Sequence, residues 1–245
     1  MTKFVPRIYY PNPILPTQEM ILVDELFHYL ASVLKAKVGT SLKIFNADDG
    51  EFEAVVVAKE NKKIIIRVSN KIAKVMRSTP SIRLCFSPIK PHRMHDLIEK
   101  GTELGITEFQ PIIMQHSIVR EFNVSKYNKV AIEATEQSER FTVPIFKPQL
   151  SFEDFIEIYQ EEQILWANEN EENVQNIFPK ASFRCYNMLI GPEGGFSGQE
   201  KEILTRLPNV QSVSLGKFIL RAETAAFSLI SWINFINLDD TPANQ

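Results

Sequence analysis

Leu189-Ile190-Gly191-Pro192-Glu193-Gly194-Gly195-Phe196-Ser197 is the stretch on which the fold turns. The apolar run Met188–Ile190 enters it as a strand. Ser197 leaves it as a helix N-cap, with Glu200 three positions on to complete a capping box and a helix predicted to about Leu207. A glycine-rich turn between a strand and a capped helix is where α/β proteins place ligands. The turn has neither the GxxxxGK[ST] nor the GxGxxG spacing of phosphate loops, and Glu193 would repel a phosphate. It therefore suits a ligand held by backbone amides and lacking phosphate. A tight turn that needs glycine for positive φ would be spelled the same way.

A second strand–loop–helix junction lies downstream at Leu215-Gly216-Lys217-Phe218-Ile219-Leu220-Arg221-Ala222-Glu223-Thr224-Ala225, after a strand predicted over Val210–Leu215. Arg221 and Glu223 flank its turn, as a structural ion pair or as a pair of functional charges. The final helix, from about Glu223 to Ile236, carries Phe227, Leu229, Ile230, Trp232, Ile233 and Phe235. It is apolar nearly all round, which calls for burial on more than one side and suggests a subunit interface. Upstream, strands are predicted at Ile82–Phe86, Phe109–Met114, Val143–Phe146 and Ile164–Ala167. Helices are predicted around Met94–Leu104, stopped by Gly105, and from Ser125 onward. Such alternation indicates an α/β domain with a mainly parallel sheet and helices on both faces.

The grammar differs before residue 70. Asp24 is positioned to cap a helix through about Lys35, with Leu26, Phe27, Leu30, Val33 and Leu34 on one face. Strand-like runs follow at Ser41–Asn46, Glu51–Ala58 and Lys63–Ser69, separated by turns at Asp48-Asp49-Gly50 and Asn61-Lys62. This reads as a small antiparallel β-unit, and the polar stretch Asn70–Pro80 reads as a linker. The domains are set at 1–72 and 73–245. Residues 1–75 hold 11 Lys and Arg against 8 Asp and Glu, whereas the remainder holds 16 against 22. The first domain is thus the basic one, and Arg7, Lys35 and Lys37 are its candidate phosphate contacts. The stretch 151–172, with eight acids and no base, reads as solvated surface.

Other classes are disfavoured. The longest apolar runs, such as Ile64-Ile65-Ile66, are far too short to cross a bilayer, and Met1–Arg7 has no apolar signal core, so a cytoplasmic address is expected. Cys85 and Cys185 form no CxxC pair and sit in apolar runs, as buried reduced thiols do. His92 and His95 lack clustered partners, and no metal is expected.

Two further segments, Lys100-Gly101-Thr102-Glu103-Leu104-Gly105 and Glu133-Ala134-Thr135-Glu136-Gln137-Ser138-Glu139-Arg140, each read alone as a solvated helix end. In order with Ile190–Ser197 and Leu215–Ala225, the set resembles the small-subunit ribosomal RNA uridine-N3 methyltransferase family (RsmE type) of the SPOUT superfamily, over nearly the whole chain. The resemblance implies a PUA-like β-barrel followed by a SPOUT methyltransferase domain with a C-terminal trefoil knot. It implies a homodimer, with S-adenosylmethionine as cofactor and ribosomal RNA or the small ribosomal subunit as partner. The cofactor would be held at Ile190, Gly191, Pro192, Glu193, Gly194 and Gly195, and at Leu215, Gly216, Ile219, Leu220, Thr224 and Ala225. Arg120 joins the RNA-binding set. Three positions depart from the family pattern, which has Arg where this chain has Lys35, His116 and Phe218.

The implied reaction constrains the site. Uridine N3 must lose a proton as it attacks the methyl carbon, so a cation is needed for the uracil anion, or a base for the proton. Arg221 is the candidate cation, Glu223 the candidate base or orienter, and Arg140 a second cation offered by a neighbouring subunit. Two alternatives compete: a SPOUT enzyme with another RNA target, and a non-catalytic RNA-binding assembly factor that has lost its cofactor. The Glu223-Thr224-Ala225 motif opposes the first, and the intact Gly191, Gly194 and Gly195 oppose the second.

Overall fold

The computed structural model describes residues 5–73, 81–169 and 185–238. The chain divides into two compact units, Met1–Arg77 with Thr135–Thr142, and Ser78–Ala134 with Val143–Gln245.

The first unit is built on β1 (Arg7–Tyr9), β2 (Glu19–Val23), α1 (Asp24–His28), β3 (Ser41–Asn46), β4 (Gly50–Glu60) and β5 (Lys63–Ala73). Its five-stranded sheet runs β1-β3-β4-β5-β2, antiparallel except for β1 against β3. Alternation sets the inner face: in β2, Met20 and Leu22 are buried while Glu19, Ile21 and Val23 face outward. The inner residues meet Ile8, Leu42, Ile44, Ile64 and Ile66 in one core. β1 is too short to give a clear period, and in β2 the outward Ile21 and Val23 are apolar too and mask the alternation, so the sequence reading misses both.

Three expectations change here. The helix from Asp24 widens into a π-helical turn over Tyr29–Val33, and the chain leaves it with Lys35 at φ +51°. Asp24 lies inside the first turn, and Val23 occupies the cap position without a side-chain bond. The strand predicted to stop at Ser69 continues to Ala73, because Lys71 and Ala73 still pair with Phe52 and Glu51. The predicted linker is therefore strand over its first four residues, Asn70–Ala73, and its remainder, 74–80, lies outside the described residues. The turn at Asn61-Lys62 is a two-residue hairpin, with Lys62 in the left-handed region at φ +61°.

The second unit contains β6 (Ser81–Phe86), α2 (Pro91–Glu103), β7 (Glu108–Ile113), most of α3 (Val124–Gln137), β8 (Ile145–Phe146), β9 (Leu150–Ser151), α4 (Phe152–Ile158), β10 (Ile164–Ala167), β11 (Cys185–Ile190), α5 (Gly198–Arg206), β12 (Val210–Val213) and α6 (Ala222–Leu238). The sheet order is β12-β10-β11-β6-β7-β8, with β9 on β7, and every pair is parallel. Successive strand residues serve opposite cores. Ile82, Leu84 and Phe86 join Leu97, Ile98, Ala131, Leu229 and Ile230 from α2, α3 and α6. Cys85 and Leu189 join Phe152, Phe155 and Leu204 from α4 and α5. Helices thus cover both faces, as parallel sheets require.

α3 opens at Val124 rather than Ser125, because the Asn123 side chain accepts the backbone N–H of Lys126. The acidic stretch is not all solvated surface. Ser151 caps α4 by accepting from Asp154 N–H, Glu153 and Asp154 sit at the favourable end of the helix dipole, and Phe152 and Phe155 are buried beneath. Eight acids hid a short helix whose apolar face is only two phenylalanines wide.

The β3–β4 turn offers a stability test. Asp49 accepts from Ile14 N–H at 2.9 Å and from the Asn46 amide at 2.9 Å. These bonds, the backbone one first, hold its carboxyl below the usual carboxylate range. A lowered folded pKa contributes stability above the unfolded value of about 3.9, lost as pH falls through the folded pKa. Asp49→Ala should cost about 1–2 kcal/mol at pH 7. The gap to the parent should narrow below about pH 4, as read from urea unfolding at pH 7 and pH 3.

Candidate functional site

β10, β11 and β12 are parallel, so their carboxyl ends share one edge of the sheet, and the turns leaving them converge there. Between those turns lies a cavity of about 280 Å³. Ile190, Gly191, Pro192, Glu193, Gly195 and Phe196 line it from the β11 turn. Leu215, Gly216 and Phe218 to Ala222, with Ala225, line it from the turn before α6. The β10 turn adds Ala167, Asn168 and Glu169.

Ten of the twelve residues expected to hold a cofactor are on this wall, and Gly194 and Thr224 are not. The glycines have local causes. A Cβ on Gly191 would stand 2.6 Å from the Phe196 ring, and Gly195 sits at φ +72°. Gly194 faces away, with its would-be Cβ 3.0 Å from His116 Cβ. Both sequence readings of the loop thus hold together: the glycines satisfy turn geometry and close packing, and the turn they permit forms the wall.

Two side chains brace this loop. His116 Nδ1 lies 3.2 Å from Gly194 O and 3.1 Å from Gly195 O, a placement that makes it the protonated ring nitrogen. Glu200, buried, accepts from Ser197 N–H at 2.7 Å and from Gln115 N–H at 2.8 Å, so the predicted capping box also ties the His116 segment to the head of α5. His116, at a position where the family pattern has Arg, therefore serves as an internal brace.

The electrostatic centre of the wall is Arg93, which the sequence reading misses. It enters from the first turn of α2, bonds Glu193 at 2.7 Å, and places Nε 3.7 Å from Glu223. One guanidinium thus links the β11 turn to the first turn of α6. Its sequence signal is Pro91 at a helix start, which says nothing of a distant carboxylate. Glu223 accordingly pairs with Arg93 and not with Arg221. Arg221 lines the cavity, its side chain is exposed, and among the described residues no carboxylate pairs with it.

The other expected contacts divide. Arg140 belongs to the 135–142 segment of the first unit, does not line the cavity, and is lowered by burial to about 10. Lys35 and Lys37 are exposed, and exposed Arg120 donates to Gln115 O. Arg7 is a correction. It is 8% exposed, bonds Glu51 and Thr135 O, and lies 3.3 Å from the Phe45 ring centroid. A guanidinium so enclosed is not available to a phosphate.

A parallel α/β sheet with this cavity at its strand ends, following a small β-unit in the sequence, has clear relatives. The model of the RNA methyltransferase domain matches residues 77–234, and that of the RNA methyltransferase PUA domain matches 22–69. These define an RNA methyltransferase with a PUA-like N-terminal domain. The ribosomal RNA small subunit methyltransferase E of Rickettsia conorii is 33% identical over 234 residues, covering 94% of this chain and 95% of its own. The chain belongs to the ribosomal RNA small subunit methyltransferase E family. Among solved structures, a Legionella pneumophila protein described as a methyltransferase in complex with SAM superposes with a TM-score of 0.85 at 25% identity, covering 95% of this chain and 98% of that one. The ribosomal RNA small subunit methyltransferase E of Neisseria gonorrhoeae, bound to S-adenosyl methionine, gives 0.84 at 25%, with the same coverage.

The Arg93 linkage can be tested by removal. Arg93→Ala would leave two partly buried carboxylates uncompensated, at a cost of about 2 kcal/mol. For a chain of this size that is roughly a 4–8 °C fall in Tm. The double variant Arg93→Ala/Glu193→Gln should recover part of it in a thermal melt. No recovery would show that Arg93 acts through packing alone.

Proposed function

We propose that the protein transfers a methyl group from S-adenosylmethionine to N3 of a uridine in small-subunit (16S) ribosomal RNA. The observation that carries this is the cavity at the β10–β12 ends, with Arg221 exposed on its wall and, among the described residues, paired with no carboxylate. Family membership and the cofactor-bound relatives supply the class of ligand. The wall fits that ligand: it has a backbone turn on each side, apolar Ile190, Leu215 and Leu220, and no phosphate loop. Its carboxylates Glu169 and Glu193 are matched by Lys201 and Arg93, so the fit rests on the backbone turns and the apolar wall rather than on net charge. S-adenosylmethionine supplies the electrophilic methyl when bound.

The chain's own residues do the rest. The uracil sheds its N3 proton to solvent water at the open side of the cavity, since Glu223 faces Arg93 and not the wall, and negative charge gathers on its two flanking oxygens. Arg221 offers a planar, permanently charged fork for those oxygens. Glu223, tied to Arg93 and outside the wall, orients the head of α6. Arg140, still cationic at neutral pH, is the proposed second cation, supplied by a neighbouring protomer.

Residues 1–72 are the proposed RNA-binding domain and 73–245 the catalytic domain, with a trefoil knot around the crossed β10, β11 and β12 connections, working in the cytoplasm. The proposed homodimer is supported by α6, where Ala226, Leu229, Ile230 and Ile233 are buried against one core while Trp232 and Phe235 point outward, Phe235 being 71% exposed. Sedimentation at low micromolar concentration should show a dimer, and a monomer with full activity would remove this interface from the account.

The decisive experiment pairs calorimetry with single-turnover methyl transfer to small subunits from cells lacking this activity, followed by nucleoside mass spectrometry. The parent should bind S-adenosylmethionine and form 3-methyluridine. Arg221→Lys should retain cofactor affinity while its transfer rate falls by roughly 10²–10³. Unchanged turnover would take Arg221 out of the mechanism, and absence of 3-methyluridine would refute the assignment.

A further inference from the structure

Phe218 and Ile219 are the two most exposed large apolar residues described, at 86% and 83%, and both line the cavity. Exposing neighbouring apolar side chains to water is costly unless something covers them in use. Lys217 beside them is exposed, Arg221 follows three residues later, and among the described residues neither carries an ion pair. The wall therefore presents an aromatic face, an aliphatic neighbour and the uncommitted cation Arg221, with a second, Lys217, beside it and off the wall.

We propose that Phe218 is the stacking platform for the methyl-accepting uracil, taken out of its RNA stack at the cavity mouth. The inference rests on the proposed RNA substrate and goes beyond it by assigning the face of the base. An extruded base has two needs, a partner for its π-face and partners for its edge. Phe218 meets the first and Arg221 the second, while Lys217 can balance the charge of the adjoining phosphate. A second copy of this chain would cover an apolar surface equally well, but the flanking cations would then need carboxylates opposite them. A nucleotide brings both the aromatic surface and the negative charge.

The test uses the full-length protein, S-adenosylmethionine and small subunits from cells lacking the activity. Replacing a stacking aromatic by alanine weakens binding by roughly 5- to 100-fold. Phe218→Ala should therefore raise KM for the subunit by about that factor, with cofactor affinity and sedimentation unchanged. Phe218→Leu, which keeps bulk but has no π-face, should behave like Phe218→Ala, and Phe218→Trp should stay within about threefold of the parent. Parental KM in Phe218→Leu, or dissociation of the dimer in Phe218→Ala, would overturn the platform and point to simple apolar contact. A parent that binds no cofactor or transfers no methyl to RNA would instead refute the proposed function, so the two failures are distinct.

Discussion

The site depends on one constraint: β10 and β12 run parallel to β11 and β10 in register, from Ile164 to Ala167 on Val210 to Val213 and from Ile164 to Trp166 on Asn187 to Leu189. Parallel strands expose their carboxyl ends at the same edge, so three chain turns distant in sequence are brought together without any contact between them having to be strong. The turns then need only be shaped. Gly191 lets Phe196 fold back over the strand end, where its ring meets Trp166 edge to face. Glu200 fixes the departure of α5.

Charge is distributed in keeping with that geometry. Across the opposite end of the sheet, Arg83 is committed to Glu108, Glu162 and Asn187, and its guanidinium lies 4.7 Å from the Tyr159 ring centroid. That cluster joins β6, β7, β11 and the segment before β10, and Lys147, 3.7 Å from Glu108, balances its second carboxylate. At the carboxyl end, among the described residues, Arg93 faces two carboxylates and Arg221 none. A cation matched twice over holds loops together, and an unmatched one keeps its hydrogen-bonding capacity for something else. The difference between these arginines is the electrostatic form of the division between scaffold and site.

Much of this was legible in the sequence, because the relevant signals are local. The Ser197 capping box, the Gly105 stop at φ +109° and the two-residue Asn61-Lys62 turn each depend on residues within a few positions of one another. The alternation of Ile82, Leu84 and Phe86 marked a strand for the same reason. What escaped was either very short or non-local. β1 has three residues, and α4 shows only Phe152 and Phe155 as its apolar face. Arg93 reaches a carboxylate one hundred residues away, and no spacing rule encodes such a pair.

Arg7 shows how a count of charges misleads about surfaces. The sequence groups it with Lys35 and Lys37 because all three fall in the basic part of the chain. Folding pairs Arg7 with Glu51, and Lys43 reaches the same carboxylate at 3.1 Å. Burying an opposite pair removes one charge of each sign, so the net charge of the unit is unchanged while its distribution is not. The positive surface then falls to cations left without a partner, and Lys35, Lys37 and Lys62 are exposed with no ion pair among the described residues. Two of these, Lys35 and Lys62, hold left-handed backbone at φ +51° and +61°, where the chain bends out of a helix and round a hairpin. Sharp bends carry side chains away from the core, so the geometry that ends each element also presents a cation to solvent, where a phosphate backbone could meet it.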